Sequence, residues 1–350
     1  MSKLLVHAGT MKTGTTTIQT VLTQERAALR ERGLVYPLPK AIYGEGPFEI
    51  QNHRRLAMAI RDGVAGRKAA FAALRERIEK LRGRGKTVVL SAEAFYRIDR
   101  QSAEERWPIV DEDTEFERRG RYLQQVSGFF EGLDPEFLLY FRRPDSFIVS
   151  CYAEDMAMSN GALDFQTFIA LRKARTNYRR QIDLMRTFFQ VTPRCFETEA
   201  KKGLVTGFFE DNGLGDAPEE PKVVRAAIPN AAVLWLLESK RSNQMNRQAR
   251  HRRWLFALQT EAAEVFHPGQ KSSFWASTAE RDAFLMPRLE ALPEFVFPEV
   301  PTEAAPQCEW SGDDHARANA AFADWEAENI DWITSREAMR RPPFMHPRSR

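Results

Sequence analysis

The chain has 350 residues, which is enough to bury one substantial hydrophobic core and to carry a helical extension. Lysine and arginine total 51 against 48 aspartate and glutamate residues, so the net charge of +3 argues against a nucleic-acid partner and confines any basic site to a local cluster. The three cysteines show neither zinc-site nor disulfide spacing, and no apolar run is long enough for a transmembrane segment or has the flanks of a signal peptide, so we expect a cytoplasmic protein.

Four apolar runs predict β-strands, at residues 3–9, 86–93, 136–144 and 191–197. Helices are predicted over most of 48–81 and over 121–132, 145–158, 164–174 and 177–190, with an extended segment at 34–39 and a charged surface segment at 104–121. Because strands alternate with helices, the sequence predicts an α/β fold. The expected form is a three-layer P-loop-type fold with a central, mainly parallel sheet.

The C-terminal third of the chain has a different pattern. Strand signals disappear after about residue 220, and the following segments are amphipathic, helical and rich in arginine. We therefore predict a core over 1–220, a C-terminal helical extension packed on the same domain over 221–335, and a basic, proline-rich tail over 336–350.

The stretch TMKTGTTTIQ (10–19) directly follows the first predicted strand. Gly9 and Gly14 keep the glycine spacing of the nucleotide-binding motif GxxxxGK[ST], but the lysine, Lys12, precedes the second glycine. Backbone amides at such a helix start bind anions, whereas the arrangement that holds magnesium and a γ-phosphate is lost. The alternative is a strand–turn–helix with a threonine-rich cap and an exposed lysine. We call residues 9–17 the threonine-rich loop.

This loop resembles that of the sulfotransferases that use 3′-phosphoadenosine-5′-phosphosulfate (PAPS). The resemblance implies that Lys12 contacts the phosphosulfate bridge and stabilises the departing phosphate. It also implies that further donors to the 5′-phosphosulfate come from Thr13, Gly14, Thr15, Thr16 and Thr17. The family usually has an aromatic–proline pair before the lysine, and Thr10 and Met11 stand there instead, a departure also expected in bacterial branches.

A second stretch, RRPDSFIVSCY (142–152), fits the family pattern R-x-P-x(5)-S-x-Y, which binds the 3′-phosphate. Arg142, at the end of a strand, offers a planar set of donors to a phosphate dianion, and Ser150 adds a neutral donor. The alternative is a strand that ends in two solvated arginines.

A third, looser similarity lies in RCFETEAKKGLVTGFFEDNGL (194–214). In the family, an aromatic–glutamate pair closes a strand here, and the aromatic residue lies near the adenine. Phe196 matches that residue, although a core phenylalanine fits the pattern equally well.

Sulfuryl transfer to a hydroxyl also needs a proton acceptor, and the family uses a glutamate or a histidine. Glu93, after the second predicted strand, is the first choice, because ligands of open α/β sheets bind at the carboxyl ends of strands. His53 is the second choice, whereas His7 fits a satisfied core histidine. The candidates for lining an acceptor pocket are Tyr96, Arg97 and Arg54.

Together the resemblances imply a PAPS-dependent sulfotransferase that releases adenosine 3′,5′-bisphosphate and requires no metal. The acceptor is a small molecule or a glycan, with a carbohydrate hydroxyl favoured by resemblance alone. Two alternatives stay open: a P-loop small-molecule kinase that uses ATP and magnesium, and a nucleotide-binding relative without catalysis.

Overall fold

The computed structural model describes most of the chain. The described residues are 2–37, 53–63, 68–96, 111–159, 161–221, 228–242, 246–259, 263–266, 272–295, 297–302 and 305–334. Arg97, the tail over 336–350 and parts of the predicted segments 34–39, 48–81 and 104–121 lie outside these residues.

Five parallel strands form one sheet in the order β2-β3-β1-β4-β5. The strands are β1 (Leu4–His7), β2 (Leu34–Val35), β3 (Thr87–Ser91), β4 (Glu136–Phe141) and β5 (Gln190–Cys195). The predicted α/β fold with a parallel sheet is confirmed. At the carboxyl end of central β1, His7 pairs with Ser91 of β3 on one side and with Leu138 of β4 on the other.

Helices connect and follow these strands. They are α1 (Thr15–Gln24), α2 (Arg26–Glu31), α3 (Arg54–Arg61), α4 (Lys68–Gly83), α5 (Glu112–Phe130), α6 (Pro144–Met158), α7 (Phe165–Leu171), α8 (Lys173–Thr176), α9 (Tyr178–Arg186), α10 (Phe196–Lys202), α11 (Leu204–Glu210), α12 (Asn230–Ser242), α13 (Arg247–Ala257), α14 (Ala263–Phe266), α15 (Thr278–Glu290), α16 (Gly312–Glu328) and α17 (Ile330–Thr334). A short 3-10 helix, Glu93–Phe95, follows β3.

Several of the predicted boundaries differ from the structure, among them the start of α5 and the end of β5. Helix α5 begins at Glu112, inside the segment predicted as a charged surface stretch, because the Asp111 carboxylate accepts a hydrogen bond from the Thr114 amide and caps the helix. Strand β5 ends at Cys195, so Phe196 is the first residue of α10 and does not close a strand.

The described chain forms two compact units. The first contains Met1–Arg143, Lys173–Lys222 and Arg288–Pro298, and the second contains Pro144–Arg172, Val223–Pro287 and Glu299–Arg350. The sequence predicted a core over 1–220, a helical extension over 221–335 and a tail over 336–350. Instead, α6 and α7 belong with the C-terminal helices, because the apolar faces that bury them come from distant parts of the chain.

In the first unit, helices cover both faces of the sheet. On one face, Leu5 and Leu138 pack with Leu22 of α1 and Phe208 of α11 in one buried cluster. On the other face, the ring of Phe137 lies edge-on to Phe130 of α5, with ring centroids 5.8 Å apart. This arrangement gives the three expected layers.

The second unit is helical and has an aromatic core. Trp235 of α12 contacts the rings of Phe256, Phe266 and Phe322, with centroids 5.4 to 5.7 Å apart. Across the described ranges, no helix is both long enough and apolar enough to cross a bilayer.

Candidate functional site

The threonine-rich loop leaves the sheet beside the end of β4. The amide of Ala8 donates to the Leu138 carbonyl at 3.0 Å, and the amide of Thr10 donates to the Tyr140 carbonyl at 3.1 Å. The Thr10 hydroxyl donates to the same carbonyl at 2.7 Å. The loop is therefore anchored two residues before Arg142, at the edge where ligands of parallel sheets bind.

Two residues of the loop have left-handed backbone conformations. The φ angle is 68° at Gly14, where glycine adopts it freely, and 66° at Lys12, where a side chain makes it unfavourable. The Thr13 hydroxyl donates to the Thr10 carbonyl at 2.5 Å and closes the turn. Backbone strain of about 1 kcal/mol at a non-glycine residue is typical of functional sites.

Helix α1 begins without a side-chain cap. Gly14 occupies the N-cap position, and its carbonyl accepts from the Thr17 amide at 2.9 Å. The Thr15 hydroxyl is buried and has no hydrogen-bond partner among the residues that the structure describes. Uncapped amides and an unpartnered hydroxyl at the positive end of a helix suit an anionic ligand. The half-buried Thr16 and Thr17 complete this first turn.

Helices α10 and α11 pack directly against Gly14. A Cβ atom at this position would lie 2.0 Å from Cδ2 of Leu204 and 3.5 Å from Cε2 of Phe196. Phe196 is half-buried at the start of α10, and Leu204 opens α11. Both the conformation and this close packing therefore require glycine at position 14.

Phe196 also contacts Arg142. The guanidinium carbon of Arg142 lies 5.7 Å from the centre of the Phe196 ring, a cation–π distance. The Arg142 Nε is buried and has no hydrogen-bond partner within the described ranges. The backbone on either side is fixed, because the Tyr178 hydroxyl donates to the Arg142 carbonyl at 2.9 Å and the Arg143 amide donates to Glu197 at 2.8 Å. One aromatic ring thus connects the threonine-rich loop with Arg142.

Ser150 belongs to the second unit. Ser150 is half-buried on α6. Tyr152, on the same helix, is buried, and its hydroxyl donates to the Leu163 carbonyl at 3.0 Å. The motif of residues 142–152 is therefore divided between the two units, since Arg142 belongs to the first. The assignment of Ser150 to the site rests on its match to the sequence motif.

Glu93 lies at the same sheet edge as the loop. The Ala92 amide donates to the His7 carbonyl at 3.0 Å, which extends the pairing of β1 and β3 by one residue, and Glu93 follows directly. Its side chain is half-buried at the start of the 3-10 helix. Glu93 is thus held at the carboxyl end of β3, next to the strand that carries the loop.

Both ring nitrogens of His53 are hydrogen-bonded to the backbone. It is fully buried, its Nδ1 accepts from the Ser91 amide at 3.0 Å, and its Nε2 is 2.6 Å from the Pro37 carbonyl, to which it donates. Burial lowers the pKa of His53 to about 4. Because the backbone already uses its only lone pair, we do not assign His53 as the proton acceptor.

The two described candidates for lining an acceptor pocket, Tyr96 and Arg54, differ in their exposure to solvent. Tyr96 is 3% exposed and packs edge-on to Phe141, with centroids 6.2 Å apart, so its ring is part of the core. Arg54 is exposed at the start of α3.

Sequence reasoning missed one residue of this region, Gln19. Its Nε2 donates to the Ser91 hydroxyl at 3.1 Å, and that hydroxyl lies 2.9 Å from Nδ1 of His7. The signal was present in the sequence, because Gln19 interrupts the apolar face that Ile18 and Leu22 form on α1.

An open cavity of about 540 Å³ lies beside β5 and α10. Its lining residues are Arg186, Pro193, Arg194, Cys195, Thr198, Glu199, Lys202, Asp211, Glu294 and Phe295. Burial and the neighbouring Asp211 carboxyl raise the pKa of Glu199. Both signs of charge are present, and the Lys202 ammonium already pairs with Asp211 at 2.8 Å. We therefore favour the loop, and not this cavity, as the anion site.

The structure of the first unit brings together the threonine-rich loop, Phe196 and Arg142, with Glu93 at the same sheet edge. Uncapped amides with hydroxyl and lysine donors are one candidate anion site, and a guanidinium beside an aromatic ring is a second. Such a pair of sites can hold a nucleotide with phosphate groups at both ends. No protein-family model, curated protein or solved structure matched the chain in comparisons with each.

Proposed function

We propose that this chain is a sulfotransferase that moves a sulfuryl group from PAPS to an acceptor hydroxyl and releases adenosine 3′,5′-bisphosphate. The observation that carries the proposal is the position of Phe196, whose ring contacts Arg142 and lies against Gly14. A bisphosphate nucleotide needs two separate anion sites with room for an aromatic base between them, and this contact links two such sites.

The threonine-rich loop is the proposed site of the 5′-phosphosulfate. The first amides of α1 lack a side-chain cap, and the Thr15 hydroxyl is buried without a partner in the described chain. Donors fixed in this way stabilise negative charge without reorganising during the reaction. Lys12, held in its left-handed conformation, supplies the positive charge that balances the charge growing on the leaving phosphate.

Arg142 is the proposed site of the 3′-phosphate. Its planar guanidinium matches a phosphate dianion, and the Phe196 ring beside it offers a face to adenine.

The reaction breaks the bond between the sulfur and the 5′-phosphate oxygen and forms a bond between the sulfur and the acceptor oxygen. PAPS supplies the sulfuryl group and the leaving phosphate. The acceptor proton passes to the Glu93 carboxylate, which β3 holds at the sheet edge that carries the loop. The acceptor class that we propose is a small-molecule or glycan hydroxyl.

Titration calorimetry with adenosine 3′,5′-bisphosphate tests the proposal. We expect the bisphosphate to bind at least tenfold more tightly than adenosine monophosphate, because a charge-assisted phosphate contact contributes about 1.5–3 kcal/mol. Arg142→Ala should remove this difference. The matched control is Arg121→Ala, because the Arg121 side chain is 67% exposed on α5. Equal binding of the two nucleotides, or tighter binding of ATP with magnesium, would contradict the proposal.

Turnover is measured separately, by transfer of labelled sulfate from PAPS to metabolite and glycan extracts. Lys12→Ala should retain much of the bisphosphate affinity and lose turnover, and Glu93→Gln should lower turnover with unchanged affinity. Lys80→Ala is the control, since the Lys80 side chain is 66% exposed. Unchanged turnover in Lys12→Ala would remove Lys12 from the mechanism.

A further inference from the structure

Three polar side-chain atoms surround Gly9 beneath the threonine-rich loop. A Cβ atom on Gly9 would lie 3.2 Å from His7 Nε2, 3.2 Å from Thr13 Oγ1 and 3.6 Å from Thr15 Oγ1. The Thr13 hydroxyl already has a hydrogen-bond partner, because it donates to the Thr10 carbonyl. The His7 Nε2 and the Thr15 Oγ1 are buried and have no hydrogen-bond partner among the residues described.

The hydrogen bonds on the other side of His7 fix its tautomer. Gln19 Nε2 donates to the Ser91 hydroxyl oxygen at 3.1 Å, and this oxygen lies 2.9 Å from His7 Nδ1. If His7 also donated to Ser91, the serine hydrogen would have no acceptor. Ser91 therefore donates to Nδ1, and His7 carries its hydrogen on Nε2.

His7 stays uncharged in this environment. It is 0% exposed and lies between the rings of Tyr140 and Phe208, each with its centroid 5.3 Å away. Burial lowers the pKa of His7 to about 3. Its Nε2–H is thus a neutral donor that faces the underside of the loop, and a buried donor without an acceptor is costly.

We propose that His7 is a positioning residue for the anion site and that it acts on Thr15 through one buried water beside Gly9. Both unpartnered atoms lie within 3.6 Å of the point where a Cβ atom of residue 9 would stand, and they do not hydrogen-bond to each other. A single water that accepts from His7 Nε2 and donates to Thr15 Oγ1 would satisfy both atoms. The inference rests on the proposed function, because it takes the loop as the anion site.

All hydrogen bonds in the chain from Gln19 to Thr15, which we call the relay, run in one direction. Gln19 donates to Ser91, Ser91 to His7, His7 to the water and the water to the Thr15 oxygen. Thr15 then has its own hydrogen free for an oxygen of the phosphosulfate. Successive donors in one direction polarise each other, which strengthens the last bond without placing a buried cation behind the loop.

A double-mutant cycle with adenosine 3′,5′-bisphosphate tests this coupling by calorimetry. His7→Phe and Thr15→Val should each weaken binding about tenfold, the loss expected for one hydrogen bond to a charged group. The double variant should bind no worse than the weaker single variant, because both changes break one chain. Losses that multiply in the double variant would overturn the proposal.

Thr20→Val is the matched control, because Thr20 lies on the same helix and its hydroxyl donates to the Thr16 carbonyl at 2.8 Å. Its bisphosphate affinity should equal that of the unaltered chain. A loss as large as that of Thr15→Val would show that any threonine change in α1 disturbs the loop, and would overturn the specific role of Thr15.

Nitrogen NMR of the unaltered chain gives a readout that a purely structural His7 would not produce. We expect one neutral His7 ring with its hydrogen on Nε2, a shift of its Nε2 signal when the bisphosphate binds, and loss of the single tautomer in Ser91→Ala. A hydrogen on Nδ1 would overturn the relay even if every variant failed to fold.

Failure of the relay is distinguishable from failure of the proposed function. If the variants bind the bisphosphate as tightly as the unaltered chain, the relay is wrong and the function stands. If the unaltered chain does not bind it, the function is wrong. The relay is then judged by the tautomer and by the binding of inorganic sulfate, where the same tenfold loss in Thr15→Val is expected.

Discussion

Helices α1 and α16 begin in opposite ways. At α16, the Ser311 hydroxyl accepts from the Asp314 amide at 3.1 Å and the Asp314 carboxylate accepts from the Ser311 amide at 3.0 Å, a complete capping box. At α1, Gly14 has a left-handed conformation, no side chain caps the helix, and the first turn has no acidic residue. The positive end of α16 is neutralised by Ser311 and Asp314, whereas neither a side-chain cap nor an acidic residue of the first turn neutralises the positive end of α1.

The same contrast holds for the residues around each helix start. Near α1 is a lysine in a left-handed conformation, Lys12, which lowers stability. Near α16, Asp313 and Asp314 oppose the helix dipole and add stability. The loop region therefore lacks the stabilising interactions that are present at the start of α16.

Lowering the pH should produce the largest difference in stability between the region around α1 and the start of α16. Burial lowers the pKa of His53 to about 4 and that of His7 to about 3, from an ordinary value of 6.5. Between about pH 6.5 and 4 the unfolded chain binds protons that the folded chain does not, so the free energy of unfolding falls as the pH drops, by on the order of 3 kcal/mol for His53. Hydrogen exchange between pH 7 and 4.5 should show β1 and α1 losing protection before α16.

The control for the acid effect is the slope of stability against pH. His53→Gln lowers stability at every pH but should make this slope shallower, because one titrating group is gone. Loss of protection in α16 first, or an unchanged slope in His53→Gln, would contradict the assignment.

Gly14→Ala should lower the free energy of unfolding more than any other added methyl group at the two helix starts. The left-handed φ of 68° and a Cβ placed 2.0 Å from Leu204 should together lower the free energy of unfolding by about 2 kcal/mol and weaken bisphosphate binding. Gly312→Ala in the first turn of α16 is the matched control, because nothing lies within 4 Å of its Cβ position. Urea denaturation of both variants measures the difference, and equal stability would break the comparison.

Ser311→Ala should have the converse effect. Loss of the capping box should lower the free energy of unfolding by about 1 kcal/mol. Bisphosphate affinity should stay unchanged, since this helix start takes no part in the proposed site. A matching fall in affinity, measured by calorimetry, would mean that the two helix starts are not independent.

Lys12→Gly should have the smallest effect on stability and a large effect on turnover. Relief of the φ angle of 66° should raise the free energy of unfolding by about 0.5–1 kcal/mol, while turnover is lost. Asp134→Gly is the control, because Asp134 also has a positive φ, 42°, in the turn before β4. It should gain similar stability and keep full turnover. A drop in stability for Lys12→Gly alone would show that the lysine side chain supports the fold.

The parallel sheet could be predicted because its strands are short apolar runs bounded by turn residues, as at Leu4–His7 and Thr87–Ser91. The start of α5 at Glu112 could not be predicted, because its capping residue Asp111 lies within a run of other charged residues. Membership of α6 in the second unit was also hidden, since it depends on contacts between residues far apart in sequence.

The residues of the candidate site could be predicted where a local motif encodes the backbone, as it does for Gly14. The role of His53 could not, because it depends on the Pro37 carbonyl and the Ser91 amide, which only the folded chain brings to the ring. The unpartnered Nε2 of His7 was missed for the same reason, since apolar surroundings suggested a satisfied core residue.

The central place of β1 in the sheet has a consequence for how the chain acquires its function. Leu4–His7 is synthesised before both of its hydrogen-bonding neighbours, Thr87–Ser91 and Glu136–Phe141. Pairings of such high contact order form slowly, and an unpaired apolar strand is prone to aggregate while it waits. The candidate site should therefore form only after β4 has left the ribosome, in a late and cooperative step.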